Sequence, residues 1–389
     1  MRRIADITLS AGPTPIEAPT LAAMGAPMPY HYDPAFLEEY RAIEEAVGRT
    51  MHAGDCDVVL LQGEAVLGLE AAWRALVRPG MSCLNLVSGP FGKGMGAWLR
   101  AGGATVHQVE VDYRDAVRAE QVEEAHERYP EVELLALVHS ETPCGTLNPA
   151  EQIGPLARSR GVVTLVDCVS SVAGMPFQAD GWQLDVCVAG AQKCLAGPPG
   201  ISMLTVSPQA WDLIARNPEA PRGSYLSLLD WKERWIDGGH FPFTPSISDV
   251  RGLGAACRAF LEEGEEAAFA RHQLAAGCCR EGARAMGLEL WPVRDEVMST
   301  CVTAVKLPDG LDDLTVRQHI RERYGVMLSG GHGAGRLMRI GHMGAMARSL
   351  YPLAGLAALG RGLADLGADV RVGEGLERAL AIMSEGAPG

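Results

Sequence analysis

Seven short apolar runs, separated by helical patterns, constrain the fold of this chain more than any other feature. The runs are DVVLLQ (57–62), SCLNLVS (82–88), TVHQVEV (105–111), ELLALVHS (133–140), VVTLVDC (162–168), DVCVAG (185–190) and ISMLTVS (201–207). Such runs are typical of strands covered on both faces, and helices between them favour parallel pairing. The pattern therefore predicts an α/β fold, with one large three-layer domain around a mainly parallel seven-stranded sheet.

The pattern of apolar residues changes after the last of these runs. Residues 208–248 have no strong period, and a long helical pattern follows over 249–286. Beyond it, the strand-like segments STCVTAVKL, GVMLSGG and RLMRIGHM alternate with helical patterns, which predicts a smaller C-terminal α+β domain. We expect three parts, namely an N-terminal arm (1–20), a large substrate-binding domain (21–254) and a small C-terminal domain (255–389).

Composition and charge argue against several function classes. The net charge of −14 disfavours nucleic acid and anionic membranes as partners. No apolar run approaches the ~20 residues that span a bilayer, and the N-terminus lacks the apolar core of a signal peptide. Ten scattered cysteines without CxxC spacing indicate reduced thiols and no metal site. We therefore expect a cytoplasmic protein that acts on small molecules.

The stretch AGAQKCLAGPPG (189–200) carries Lys193, one of only four lysines in the chain. Lys193 follows an apolar run and precedes a loop rich in glycine and proline. Burial at the end of a strand lowers the pKa of an amine and leaves it nucleophilic. The alternative is a lysine that merely ends a strand, and the neighbouring motifs favour the nucleophile.

Polar residues at the carboxyl ends of strands are the candidates for ligand binding in an open α/β sheet. They include Asp167, which ends LVD, and Gln192, which directly precedes Lys193. A carboxylate at the position of Asp167 either caps the next helix or keeps a ring nitrogen protonated, which makes the ring an electron sink. A lysine and an aspartate on two strand ends of one sheet are what aldehyde-cofactor chemistry requires.

Arg339 lies in the segment RIGHMG of the predicted small domain. The planar guanidinium of arginine suits bidentate capture of a substrate carboxylate. An arginine on the surface of a strand is the alternative for this position.

Five motifs, taken in order, carry a resemblance to a known family. AGPTP, HSETPCG, LVDCVSS, AGAQKCLAGPPG and RIGHMG resemble the class V aminotransferases of pyridoxal 5′-phosphate (PLP) fold type I, which include alanine–glyoxylate and serine–glyoxylate aminotransferases. The resemblance covers essentially the whole chain. It implies that Lys193 is the Schiff-base lysine, that Asp167 holds the pyridine nitrogen and that Arg339 binds the substrate carboxylate.

The same resemblance implies the surroundings of the ring and the assembly of the protein. Phe91 and Val169 would lie on the two faces of the ring, and Thr142 would lie near the ring hydroxyl. The expected assembly is a homodimer or a dimer of dimers.

Two departures from the family pattern concern the phosphate of the cofactor. The family has a small hydroxyl-bearing turn after the first strand, whereas this chain has LQGEAVLGLEA with the carboxylate of Glu64. The family also uses a Tyr-x-x-Thr from the partner subunit, whereas FPFT places Phe241 at the tyrosine and keeps Thr244. A phosphate 4 Å from Glu64 would be repelled by roughly 4 kcal/mol per pair of unit charges at an effective dielectric constant of ~20.

This combination resembles members of the family that take unphosphorylated pyridoxamine and pyridoxal as substrates. The resemblance makes Tyr32 a pocket residue and leaves His332 and Arg336 as candidates for a second carboxylate contact. We expect an aminotransferase that moves the amino group of pyridoxamine to pyruvate, giving pyridoxal and L-alanine in vitamin B6 degradation, with no tightly bound cofactor. The alternatives are a PLP-dependent alanine/serine–glyoxylate aminotransferase and a catalytically silent protein that binds vitamin B6.

Overall fold

The computed structural model describes residues 4–386. Residues 1–3 of the predicted arm and residues 387–389 of the predicted small domain lie outside the described residues. The strands are β1 (Ile7–Thr8), β2 (Asp57–Gln62), β3 (Ser82–Val87), β4 (Thr105–Glu110), β5 (Leu134–Val138), β6 (Ser140–Glu141), β7 (Thr146–Leu147), β8 (Val163–Asp167), β9 (Val186–Gly190), β10 (Ile201–Val206), β11 (Val302–Lys306), β12 (Val326–Met327), β13 (Ser329–Gly330) and β14 (Leu337–Gly341). The helices are α1 (Ala18–Met24), α2 (Pro34–Thr50), α3 (Ala65–Leu76), α4 (Pro90–Ala101), α5 (Ala119–Arg128), α6 (Ala150–Ser159), α7 (Pro208–Ala215), α8 (Leu228–Asp230), α9 (Ile247–Glu263), α10 (Glu265–Ala285), α11 (Asp313–Tyr324), α12 (Tyr351–Asp365) and α13 (Val372–Glu385).

All seven predicted runs form strands of one sheet, in the order β2-β10-β9-β8-β5-β3-β4. Strands β3, β4, β5, β8 and β9 pair in parallel, and β10 runs antiparallel to both β2 and β9. The predicted mainly parallel α/β architecture is therefore confirmed. The expected coverage of both faces fails at β4, whose residues are half-buried or exposed because it is an edge strand with one neighbour.

The topology of this sheet brings distant residues to a single edge. The carboxyl ends of β5, β8 and β9 meet there because these strands are parallel. Strand β2 points the same way, since two successive antiparallel pairings through β10 restore its direction. Residues after β2, β5, β8 and β9 are thus collected at one edge of the sheet.

A second, antiparallel sheet in the order β11-β14-β13 belongs to the C-terminal part of the chain. The single helical pattern expected over 249–286 is divided into α9 and α10, because Gly264 adopts a φ of 82° between them. The predicted boundary between residues 254 and 255 falls inside α9. Buried residues of α9 such as Leu253 and Phe260 join the core of the large sheet, whereas Cys278 and Cys279 of α10 join the second core. The division into domains remains a prediction.

The N-terminal segment connects these two cores. β1 pairs in parallel with β12, and the amide of Gly341 donates a hydrogen bond to the carbonyl of Leu9. A few residues later, the amide of Thr14 donates to the carbonyl of Gln192 at 2.9 Å. The chain between Leu9 and Thr14 therefore passes over the edge where the strands of the large sheet end. Within residues 4–386 no helix has the length and apolarity to cross a membrane.

Candidate active site

Lys193 lies three residues beyond β9, where its Nζ donates a hydrogen bond to the carbonyl oxygen of Ala11 at 2.7 Å. A Cβ atom on the next residue, Gly12, would lie 2.5 Å from that Nζ, so the close approach requires glycine. Burial lowers the pKa of Lys193, although the nearby carboxylates of Glu64 and Asp167 act in the opposite direction. The amine is therefore easier to deprotonate than an ordinary lysine.

Asp167 is the last residue of β8, and its carboxyl group is buried. The amide of Val169 donates to its Oδ1 at 3.0 Å, but a turn and not a helix follows β8, so Asp167 is not the helix cap considered as the alternative. Burial raises the pKa of Asp167 to about 6, against the hydrogen bond from Val169 and the charge of Lys193. A buried carboxylate with this environment gains from a cationic N–H partner.

A cavity of about 270 Å³ opens in front of these two residues. It is bounded by the first turns of α3 and α4 and by the strand ends of the large sheet. Its lining contains six of the predicted site residues, namely Glu64, Phe91, Thr142, Asp167, Val169 and Lys193. The remaining wall is mainly apolar and includes Val66, Leu69, Met95 and Trp98. A larger cavity of about 720 Å³, beside α2 and Trp235, contains none of the other predicted site residues.

Glu64 immediately precedes α3 and caps that helix with its own side chain. Its Oε2 accepts a hydrogen bond from the amide of Val66 at 2.9 Å, and its Oε1 accepts one from Nε2 of Gln192 at 2.5 Å. Both carboxylate oxygens are therefore engaged at the edge of the cavity. The free amides and the dipole of a helix N-terminus, which attract anions, already face a negative charge here.

Arg339 is buried in the central strand of the small sheet and is not on the surface. Its Nε donates to the carbonyl of Gly330 at 2.7 Å, and its Nη1 donates to the carbonyl of Thr142 at 2.9 Å. Burial lowers the pKa of Arg339 to about 10, so the side chain remains a cation at neutral pH. These contacts fix the guanidinium against Thr142, which itself lines the cavity.

Arg339 and Gln192 do not line the cavity themselves, but they contact Thr142 and Glu64, which do. Three further predicted residues, Tyr32, Phe241 and Thr244, also lie outside its lining. The ring of Phe241 stacks on Trp235 with a centroid separation of 4.1 Å, and Tyr32 lies 6.2 Å from Phe241. Thr244 is exposed. Phe241 and Thr244 are expected to serve the site of a second copy, so the roles of all three residues remain predictions.

Two functional candidates had no role assigned to them from the sequence. Glu141 is buried and accepts hydrogen bonds from the amides of Phe91 at 2.9 Å and Gly92 at 3.1 Å, which holds the start of α4. Burial raises the pKa of Glu141 to about 7. The hydroxyl of Ser170 contacts that of Thr142 and also lines the cavity. Their signal was the motif context, because Glu141 directly precedes Thr142 in HSETPCG and Ser170 follows Val169 in LVDCVSS.

The two candidates for a second carboxylate contact lie in different surroundings. The ring of His332 is 5.6 Å from that of Phe91 at the cavity. Arg336 instead donates to the carbonyls of Pro308 and Leu311 at 2.9 and 3.1 Å. Of the two, only His332 is beside a residue that lines the cavity.

Comparisons of the sequence identify related proteins. The family Aminotransferase class-V matches residues 22–354. The pyridoxamine–pyruvate transaminase of Mesorhizobium japonicum is 41% identical over 97% of this chain and 96% of its own length. The L-aspartate–glyoxylate aminotransferase of Paracoccus denitrificans is 30% identical over 95% of this chain and 93% of its own length.

Solved structures give the same result. The crystal structure of pyridoxamine–pyruvate aminotransferase from Mesorhizobium loti superposes with a TM-score of 0.95 at 40% identity, covering 99% of this chain and 98% of that one. The ureidoglycine–glyoxylate aminotransferase of Bacillus subtilis superposes with a TM-score of 0.91 at 26% identity, covering 99% of both chains. These neighbours are fold type I aminotransferases, which confirms the predicted fold class. The family match, the extent of the sequence identity and the shared fold place this chain in the class V aminotransferase family.

Proposed function

We propose that this protein transfers the amino group of unphosphorylated pyridoxamine to pyruvate, giving pyridoxal and L-alanine. The similarity to pyridoxamine–pyruvate transaminase supports this substrate pair. The observation that carries the proposal is Glu64, whose carboxylate caps α3 at the edge of the cavity. Class V aminotransferases depend on PLP, and this carboxylate disfavours its phosphate group.

The residues around the cavity fit a vitamin B6 ring. Asp167 supplies a carboxylate for the ring nitrogen, and Lys193 supplies an amine for the aldehyde carbon. Phe91 and Val169 supply apolar surface for the ring faces, and Thr142 supplies a hydroxyl. When bound, the protonated ring supplies an electron sink for the transfer of the amino group.

The residues of the chain then have distinct tasks. Lys193, whose pKa is lowered by burial, acts as a nucleophile in its neutral form and carries a proton between the two carbons that exchange the amino group. Ionised Asp167 keeps the ring nitrogen protonated. Arg339 orients the carboxylate of the 2-oxo acid from its fixed position beside Thr142.

The charge of Glu64 sets the preference between the two forms of the vitamer. A phosphate about 4 Å from this carboxylate would be repelled by roughly 4 kcal/mol per pair of unit charges at an effective dielectric constant near 20. A 5′-hydroxyl carries no charge and can donate a hydrogen bond to the carboxylate. The vitamer is therefore a substrate that enters and leaves, and we propose that no cofactor is tightly retained.

The assembly and the setting complete the proposal. A homodimer, or a dimer of such dimers, would bring Phe241 and Thr244 of one subunit to the cavity of the other. A phenylalanine at position 241 lacks the hydroxyl with which a tyrosine would bind phosphate. We place the protein in the cytoplasm, in a pathway that degrades vitamin B6.

Substituting Glu64 tests the proposal directly. With pyruvate as acceptor, wild type should show a kcat/KM for pyridoxamine that exceeds that for its 5′-phosphate by roughly 100-fold or more, from the repulsion above. Glu64→Ala should lose most of this preference, because the repelling charge is gone. Glu70→Ala is the matched control, since Glu70 lies on the same helix but pairs with Arg74 on its exposed side. Equal kcat/KM values for the two vitamers in wild type would contradict the proposal and favour a PLP-dependent aminotransferase.

A further inference from the structure

We infer that Gln192 is a positioning residue that holds the carboxylate of Glu64 in the orientation that excludes phosphate. The inference rests on the proposed function, because it explains how Glu64 is kept in place. Gln192 acts on the discrimination against phosphate indirectly, through Glu64.

The backbone around both residues is anchored, which leaves only side-chain rotation free. The hydroxyl of Ser202 contacts the carbonyls of Gly63 and Glu64, both at 2.9 Å, and fixes the turn before α3. On the other side, Thr14 donates its amide at 2.9 Å and its hydroxyl at 3.1 Å to the carbonyl of Gln192. The position of the Glu64 carboxylate therefore depends on its own side-chain torsions.

Two hydrogen bonds restrict these torsions, and only one comes from a distant part of the chain. The bond from the Val66 amide to Oε2 is local and belongs to the helix cap. The bond from Nε2 of Gln192 to Oε1 spans 128 residues and ties the carboxylate to the segment that carries Lys193. A hydrogen bond to an ionised group is stronger than one between neutral groups. Glu64 is an exposed residue, so the loss of this contact frees its carboxylate to turn away from the cavity.

The orientation of the Gln192 amide follows from the same contact. The reverse orientation would place its oxygen against Oε1 of Glu64, which repels it. In the observed orientation, Oε1 of Gln192 is buried and has no hydrogen-bond partner within residues 4–386. A Cβ atom on Gly190 would lie 2.6 Å from this oxygen, so glycine at position 190 leaves room for the amide. The amide nitrogen of Gln192 thus donates a hydrogen bond to Glu64, while its amide oxygen accepts none within residues 4–386.

Equilibrium binding tests the inference without turnover. The dissociation constants of pyridoxal and PLP are measured by absorbance titration, and their ratio, PLP over pyridoxal, reports discrimination against phosphate. Gln192→Met keeps the size of the side chain but removes the donor, and it should lower this ratio about 10-fold, as expected for a lost charge-assisted hydrogen bond. In a Glu64→Ala background the same substitution should have little further effect, because the group that it positions is absent.

A matched control and a swapped pair exclude a general structural defect. Gln152→Met removes a Gln–Glu hydrogen bond on the exposed face of α6 and should leave the ratio unchanged. The double variant Glu64→Gln, Gln192→Glu keeps one carboxylate and one amide in contact, and its ratio should stay closer to wild type than that of Gln192→Met. If the swapped pair instead discriminates no better than Glu64→Ala, the positioning role is wrong.

Failure of the inference and failure of the proposed function give different results. If Glu64→Ala lowers the ratio while Gln192→Met leaves it at the wild-type value, Gln192 does not position Glu64 and the proposed function stands. If the wild-type ratio is near one, discrimination against phosphate does not exist. The proposed function and the inference about Gln192 are then both wrong.

Discussion

The ε-amine of Lys193 is surrounded by groups that pull its pKa in opposite directions. Burial and the charge of Arg339 favour the neutral amine, and the carboxylates of Glu64 and Asp167 favour the ammonium ion. The net shift is downward, so burial decides the outcome. Its hydrogen bond to the carbonyl oxygen of Ala11 holds the amine in place without neutralising a charge.

Chemical trapping tests the assignment of Lys193. After addition of pyridoxal, borohydride reduction should leave a pyridoxyl label on the peptide that contains Lys193. Because the pKa of this lysine is lowered, labelling should proceed at a pH below the usual range for lysine and should increase as the pH rises through that pKa. The exposed Lys93 provides a control, and Lys93→Ala should be labelled like wild type. Label on another lysine, with Lys193→Ala still active, would show that the assignment is wrong.

Individual site residues differed in how well the sequence could predict them. Lys193 and Asp167 were predictable from the sequence, because Asp167 ends an apolar run, Lys193 closely follows one, and the ends of parallel strands meet at one edge of the sheet. Glu141 was not, because its role depends on two amides of a helix that starts about 50 residues earlier in the chain. The sequence also could not predict the contact between Glu64 and Gln192, although it indicated each residue separately.

Among the secondary-structure elements, strand β14 shows how the burial of an arginine decides whether it can serve the site. Arg339 faces Ala304 on β11 and Ser329 on β13, and its side chain reaches Thr142 of the large sheet's loop. The sequence could not separate this geometry from an arginine on a surface strand, since both have the same local pattern. Strand β4 and Gly264 also departed from the predicted patterns. Strand β4 is only partly buried because it lies at the edge of its sheet, and the positive φ of Gly264 divides the predicted helix in two.

Truncation of Arg339 tests the carboxylate site. Arg339→Ala should weaken binding of pyruvate and L-alanine by about 2–5 kcal/mol, the cost of losing a buried charged partner. Binding of pyridoxal should change little, because Asp167 and Lys193 remain. Titration of each ligand separates the two effects, and Arg361→Ala is the control, since its guanidinium pairs with Asp365 of the same helix, α12. Loss of pyridoxal binding in Arg339→Ala would instead assign the arginine to the ring site.

At the scale of the whole molecule, the site lies where the two cores and the N-terminal segment meet. Lys193 follows the large sheet, Arg339 belongs to the small sheet, and Ala11 lies on the segment that pairs with both parts. Contacts between residues this distant in sequence depend on the topology of the chain. The sequence therefore predicted these residues but not the distances between them. Phe241 and Thr244 go one step further, since their predicted roles depend on a second copy of the chain.

The central claim is that vitamin B6 enters this protein as a substrate and is not retained as PLP. The most direct measurement is the visible absorption spectrum of the protein, purified without added vitamer and dialysed. We predict a colourless protein that forms pyridoxal and L-alanine as soon as pyridoxamine and pyruvate are supplied. A yellow protein that keeps PLP through dialysis, and that transaminates L-alanine without added pyridoxal, would contradict it.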